Sequence, residues 1–285
     1  MTTNMFESIK GAMTKSTQQS SLSNILRTKP GNTYVVRLIP CVTDPVKTFF
    51  HHYSHGWVSE ITGQYQSAIS PQTWGERDPI AEARYRISRT GTEEEKEKAR
   101  ALNRKENWLV NVYVVKDPDN PENEGKIKIF KFGRQIHKIV MEAMEGEDAD
   151  EFGEKIFDLS KNGCNFRIKV EEQGGYATYV SSRFSSPSEI PGVTDEKIKE
   201  IHDQIHDLEN VYPVKSYDEL EVMLKEHYYG KTDEPAAPEE TSTSVTVEDD
   251  DLNFDDLLDD SKAKDSNSDS SIDDDKVKEL LDTLD

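Results

Sequence analysis

The chain has 285 residues, 34% hydrophobic and 32% charged, and its net charge of −21 divides into +6 over residues 1–140, −12 over 141–230 and −15 over 231–285. So lean an apolar share predicts that part of the chain stays unpacked, and the split puts a basic front before an acidic back, which matters because partners feel local fields. Two cysteines, Cys41 and Cys164, exclude a disulfide framework and a Cys-rich zinc site; the absence of an N-terminal apolar core or an 18-residue apolar stretch predicts a chain neither secreted nor membrane-spanning.

Residues 1–30 are polar and rich in Ser, Thr and Gln, and are expected to form an arm. The packed domain is expected over 31–230. Tyr34 to Ile39, closed by Pro40, reads as a strand, and Trp108 to Val115 as the strongest one. Between them Thr92 and Glu95 form a capping box for a charged helix to about Lys105. The DPDNPENEG segment marks a surface loop, after which Ile127 to Phe132 returns as the second arm of a hairpin. Ile136, Ile139, Val140, Ala143 and Met144 keep helical spacing. Phe166 to Val170 alternates apolar and basic residues, so one face is core and the other positive. Gln173-Gly174-Gly175 turns into Tyr176 to Val180, and helices follow around Ile198–Leu208 and after Ser216. The fold class is β-rich α+β, a small barrel with inserted helices.

From residue 231 the composition shifts to Asp, Glu, Ser, Thr and Pro, and a disordered acidic tail over 231–285 is expected. Its apolar positions are patterned: Leu252, Phe254, Leu257 and Leu258 stand among aspartates, and Val277, Leu280, Leu281 and Leu284 repeat with helical spacing. Such segments can fold on docking into a partner's groove; a purely solvating tail is the alternative.

No phosphate-binding glycine loop, HExxH or GxSxG occurs. His51, His52 and His55 fall short of a zinc set and read as ordinary surface and core histidines. What remains is an interleaving of basic and aromatic residues. Arg77, Arg84, Tyr85, Arg86, Arg89, Arg104, Lys105, Trp108, Tyr113, Phe130, Lys131, Phe132 and Arg134 fall in one stretch, and Tyr176, Tyr179, Arg183 and Phe184 in another. Cations that track phosphates and flat rings that stack on unpaired bases are what a single-strand groove requires. Core packing is the alternative for Trp108 and Phe132, whereas Tyr176 and Tyr179 are expected to reach solvent.

Val114-Val115-Lys116-Asp117-Pro118, Pro121 to Lys126 and Phe132-Gly133, with Val36 to Pro40 before them and Asn165-Phe166, Lys169-Val170, Tyr176, Tyr179 and Ser188 to Pro191 after, resemble the single-stranded DNA-binding (helix-destabilising) proteins of T-even-type bacteriophages. The final Leu280-Leu281-Asp282-Thr283-Leu284 resembles that family's tail. The resemblance implies an OB-fold core and sequence-nonspecific, cooperative binding of single-stranded DNA. It also implies an arm that contacts the neighbouring protomer, here carrying only Lys15-Ser16-Thr17 of the family's basic cluster. An acidic tail recruiting replication, recombination and repair proteins through Leu257, Leu258, Leu280, Leu281 and Leu284 is implied too, as is a place in the cytoplasm of an infected bacterial host.

By position the resemblance puts Arg37, Trp108, Phe130, Lys131, Tyr176 and Tyr179 in the cleft; Arg104, Lys105, Arg134 and Arg183 join them from the basic pattern. Asn107 stands where a family tyrosine would stack. The family's zinc positions fall on His55, Ala68, Asp78 and Ala81, so no zinc is expected, and ion pairs of Asp78 or Glu82 with Arg77 or Arg84 are expected to hold that region. A scaffold with incidental DNA affinity and a metal-dependent nuclease are the competing classes; the sequence reads against an enzyme.

Overall fold

The computed structural model describes residues 22–230. The strands are β1 (Thr33–Ile39), β2 (Phe49–Val58), β3 (Tyr65–Ile69), β4 (Lys105–Lys116), β5 (Ile127–Phe132), β6 (Phe166–Lys169), β7 (Glu171–Gln173), β8 (Tyr176–Thr178) and β9 (Arg183–Phe184). The helices are α1 (Pro79–Thr90), α2 (Glu93–Ala99), α3 (Arg134–Glu145), α4 (Asp195–Asp203) and α5 (Tyr217–His227). The fold is mixed α+β, built on an antiparallel sheet.

β4 organises it. Its first half pairs with β2, from Ser54–Lys105 to Phe49–Val110, and its second half with β1, from Ile39–Asn111 to Val35–Lys116. β5 lies along its other edge. β3 extends the sheet beyond β2, and β6 then β9 extend it beyond β1. Because β4 is covered on both faces, residues 107–114 are all buried, and apart from Asn107 and Asn111 the sequence runs apolar instead of alternating. One face of β4 (Trp108, Val110, Val112, Val114) joins Val36, Leu38, Phe130, Phe132, Phe166, Ile168 and α3 in the main core. The other face packs under Leu208 and Val211 through Leu109, and under Ile190 and Ile201 through Tyr113.

A second lobe gathers Trp57 of β2, Ala68 of β3, Ile80 and Ala83 of α1, Leu102 and the apolar stripe of α5 around its own core. The Thr92–Glu95 capping box forms with both of its bonds. The helix it opens ends at Ala99, earlier than expected: Leu102 is buried in the lobe core and Lys105 already pairs in the sheet, so tertiary contacts override local propensity.

One further expectation shifts and another is met. The packed domain begins before residue 31, because Ile25 bridges to Ile129 and Leu26 is buried in the main core. The Gly174-Gly175 turn is confirmed in detail: both glycines have positive φ (62° and 84°) and join β7 to β8 directly, the geometry a two-residue hairpin loop demands. Residues 1–21 and 231–285, which include Lys15, Ser16, Thr17, Leu257, Leu258, Leu280, Leu281 and Leu284, lie outside the described residues. No described helix is long and apolar enough to cross a membrane.

Candidate nucleic-acid interface

Residues directly opposite in an antiparallel pair share a face. His51 faces Trp108 and Tyr53 faces Glu106 across β2 and β4, so four side chains that the sequence scatters stand together where the sheet face leaves the core. The His51 ring stacks on Trp108 with centroids 4.8 Å apart and meets Tyr53 edge-on at 4.9 Å. The Arg104 guanidinium lies 3.8 Å from the centre of the Tyr53 ring, and it donates to Gln72 at the second lobe's edge. On the other side His137, in the first turn of α3, stacks on Trp108 at 4.1 Å. Burial lowers the His137 pKa, so the ring is neutral near pH 7 and free to stack.

This path opens into a cleft of about 940 Å³ between the start of α3 and the 180–184 segment. Trp108, Arg134, His137, Lys138, Arg183 and the exposed Val180 line it. No side chain caps α3 at Gly133 and no carboxylate stands in its first turn, so its N-terminal dipole is left to favour an anion. Glu106, Glu142 and Asp148 are the carboxylates of the cleft's lining, and Glu106 is the one bonded into the ring path. It accepts from His51 Nε2 and from Arg134 Nε, each at 2.9 Å. Burial opposes its ionisation, but the bonds from Arg134 and His51 outweigh that and hold its carboxyl below the usual range.

The residues expected in the cleft divide. Trp108, Arg134 and Arg183 line it, and Arg104 stands on the path that leads to it. Trp108 is nevertheless only 9% exposed and belongs to the main core, so it presents little beyond an edge. Lys105 is half-buried at the start of β4, opposite Ser54. Lys131 is paired with Leu109, on the sheet face away from Trp108. Tyr176 is half-buried rather than solvent-facing, and Tyr179 is packed against the main core, its hydroxyl 3.0 Å from Thr28 Oγ1. Neither tyrosine lines the cleft.

Two placements are corrections. Phe130 is 2% exposed in the core, since its strand alternation turns it inward. Arg37 is fully buried. Its guanidinium donates to Asn165 Oδ1 (3.0 Å) and to the carbonyls of Asp158 (2.6 Å), Ser160 (3.2 Å) and Ser188 (2.8 Å), pinning two loops to β1 instead of meeting a phosphate. Sequence reasoning missed His51, Tyr53 and His137. Strand alternation through Phe49-Phe50-His51-His52-Tyr53 would have grouped His51 with Tyr53, but not with Trp108, because the pairing register came only from the structure.

The family's zinc positions do not fit a metal. His55 and Asp78 are both fully buried and bond each other, Nε2 to Oδ2, at 2.8 Å; His55 Nδ1 donates to the Leu102 carbonyl at 3.1 Å. Asp78 Oδ2 also accepts from Ser70 Oγ, and Oδ1 caps α1 by accepting from the amides of Ile80 (2.9 Å) and Ala81 (3.1 Å). Both histidine nitrogens and both carboxylate oxygens are thus engaged, and Ala68 and Ala81 have no donor atom. The ion pair expected nearby is Arg77 with Glu82 at 2.9 Å; Asn107, where a stacking tyrosine is missing, donates to Ser54 Oγ at 3.0 Å.

Residues 29–227 match the family model described as gp32 DNA binding protein like. The chain is 33% identical over 193 residues to a single-stranded DNA-binding protein of Enterobacteria phage T4, covering 65% of this chain and 62% of that protein. It is 32% identical over 199 residues to one of Enterobacteria phage T2, covering 67% of this chain and 64% of that one. It therefore spans less than two thirds of either relative. With the match running through both lobes and across every strand of the cleft, the chain belongs to the gp32 DNA binding protein-like family.

Proposed function

We propose that this chain binds single-stranded DNA without sequence preference, along the face that runs from Arg104 through Tyr53, His51 and Trp108 to Arg134 and Arg183. The observation that carries the proposal is the continuity of that path: a cation, a run of touching rings and two further cations lead into one cleft. Rings stack on any base and cations meet any phosphate, so the surface has no need of a base-edge code. The names of the two phage relatives support the same activity, and the antiparallel sheet packed against α3 supports an OB-type barrel.

The finer expectations extend the proposal. The N-terminal arm that precedes the packed domain contacts a neighbouring protomer and makes binding cooperative, Lys15, Ser16 and Thr17 among its residues. The acidic segment 231–285 recruits replication, recombination and repair proteins of a phage in its bacterial host, through Leu257, Leu258, Leu280, Leu281 and Leu284. Neither catalysis nor zinc enters.

Ultraviolet cross-linking to oligo-dT, followed by peptide mapping, tests the path. Adducts are expected at residues 49–54, 105–108 and 134–138. Adducts confined to the opposite sheet face, at Lys131 and its neighbours, would place the strand elsewhere.

A further inference from the structure

β6 and β9 pair so that Arg167 stands directly opposite Arg183. Like charges in that position repel and destabilise a sheet pair. Neither guanidinium makes a hydrogen bond or ion pair with any described residue, and both are exposed. They face a concavity of about 450 Å³ whose other lining residues are Thr33, Lys169 and Ser181. One carboxylate is present at its edge: Glu171, which takes Lys169 at 2.6 Å and the Ser181 hydroxyl. Glu171 satisfies the lysine and leaves the two arginines uncompensated. Isolated charges on a sheet edge guard against pairing with another sheet. Two facing guanidiniums, with a threonine hydroxyl in the same hollow, are organised beyond that need, and a guanidinium presents paired donors that match phosphate oxygens.

Arg183 also lines the larger cleft, so the two hollows adjoin. We propose that the Arg167–Arg183 hollow is a phosphate subsite that receives the backbone of the single strand as it leaves the Trp108 cleft. This rests on the single-strand reading above. A bound phosphate would also relieve the repulsion that the free protein carries, so occupancy of the site and pairing of β6 with β9 reinforce each other.

Arg167 is the residue to change, because it lies outside the larger cleft and pairs with no described side chain. In the full-length chain, Arg167→Gln and Arg167→Glu would be compared with wild type on oligo-dT of about 4 and about 12 nucleotides, the range of site sizes such grooves show. On the longer strand Arg167→Gln is expected to bind about 3- to 10-fold more weakly, Arg167→Glu more weakly still, and the salt slope to become shallower by about 0.7. Affinity for the short strand should hold, and the melting temperature should stay level or rise as the repulsion is removed, which no structural role for Arg167 would give. Wild-type affinity at both lengths would overturn the proposal, and so would equal loss at both. Tighter DNA binding by Arg167→Glu at low salt would overturn it in favour of an acidic segment of the chain as the occupant. Failure of the wild-type protein itself to prefer single strands over duplex would overturn the single-strand reading and the subsite with it.

Discussion

His51 and Tyr53 are the residues on which a direct test of the path turns, since Trp108 is too deeply packed to be removed cleanly. Replacing either with Ala is expected to weaken oligo-dT binding by about 1–3 kcal/mol, as loss of a stacking platform does, with little change in melting. Titration followed by a melt checks both. Trp108→Ala would confound them, because emptying a core site of that size costs about 3–5 kcal/mol of stability. Arg37 makes the opposite case. Arg37→Met should leave the salt slope of binding unchanged yet destabilise the fold, at about 1–3 kcal/mol for each buried carbonyl left without a donor. Glu106 acts as an internal competitor for the phosphate, held by Arg134 and His51. Glu106→Gln should tighten binding several-fold at low salt, measured by fluorescence titration, with the gain shrinking as salt screens it. Since its carboxyl is held below the usual carboxylate range, the difference from wild type should persist at pH 5–8 and close only under more acid conditions, below about pH 4.3.

At the scale of elements, the second lobe is held by packing and by one buried network. Asp78 joins β2, the Ser70 turn and the start of α1. Burial opposes its charge, but the bonds from His55, Ser70 and the helix amides prevail, so its folded pKa lies below the ordinary value. A depressed carboxylate stabilises above its unfolded pKa, about 3.9, and loses that contribution as pH falls through the lower folded value. Asp78→Ala is therefore expected to cost about 3–5 kcal/mol at pH 7, as removing one member of a buried pair does, with the gap from wild type narrowing only as pH falls below the unfolded value of about 3.9. Chelator should leave the wild-type melt unchanged; calorimetry would show both. Much at this scale was legible in sequence. β1, β4, β5 and β6, the α2 and α5 capping boxes and the Gly-Gly turn announce themselves through alternation or local side-chain bonds. α1 was missed although its start signals are local: Asp78 accepts from the amides of Ile80 and Ala81, and Pro79 opens the first turn. The roles of Arg37 and Phe130 were misjudged because burial is decided by what covers a strand, here the 158–165 and 188 loops and α3, and a strand's own pattern does not reveal its cover.

At the scale of the molecule, the charge division bears on function more than the fold does. A segment carrying −15 over residues 231–285, tethered to a domain whose cleft presents Arg134, Lys138 and Arg183, has a high effective concentration near those cations. Removing it is expected to tighten DNA binding at low salt, with the gain fading as ionic strength rises, and to abolish partner binding; equal affinity at every salt concentration would leave the segment a recruitment arm alone. The claim beneath all of these is that the Arg104–Trp108–Arg183 face takes an unpaired strand. Titration of the full-length protein with oligo-dT and with duplex of equal length, over several salt concentrations and with tryptophan fluorescence as the signal, tests it most directly. Preferential binding of oligo-dT, with a change in tryptophan emission and a log affinity that falls linearly with log salt, is the expected result. Equal or tighter binding of duplex, or oligo-dT binding without salt dependence, would contradict it.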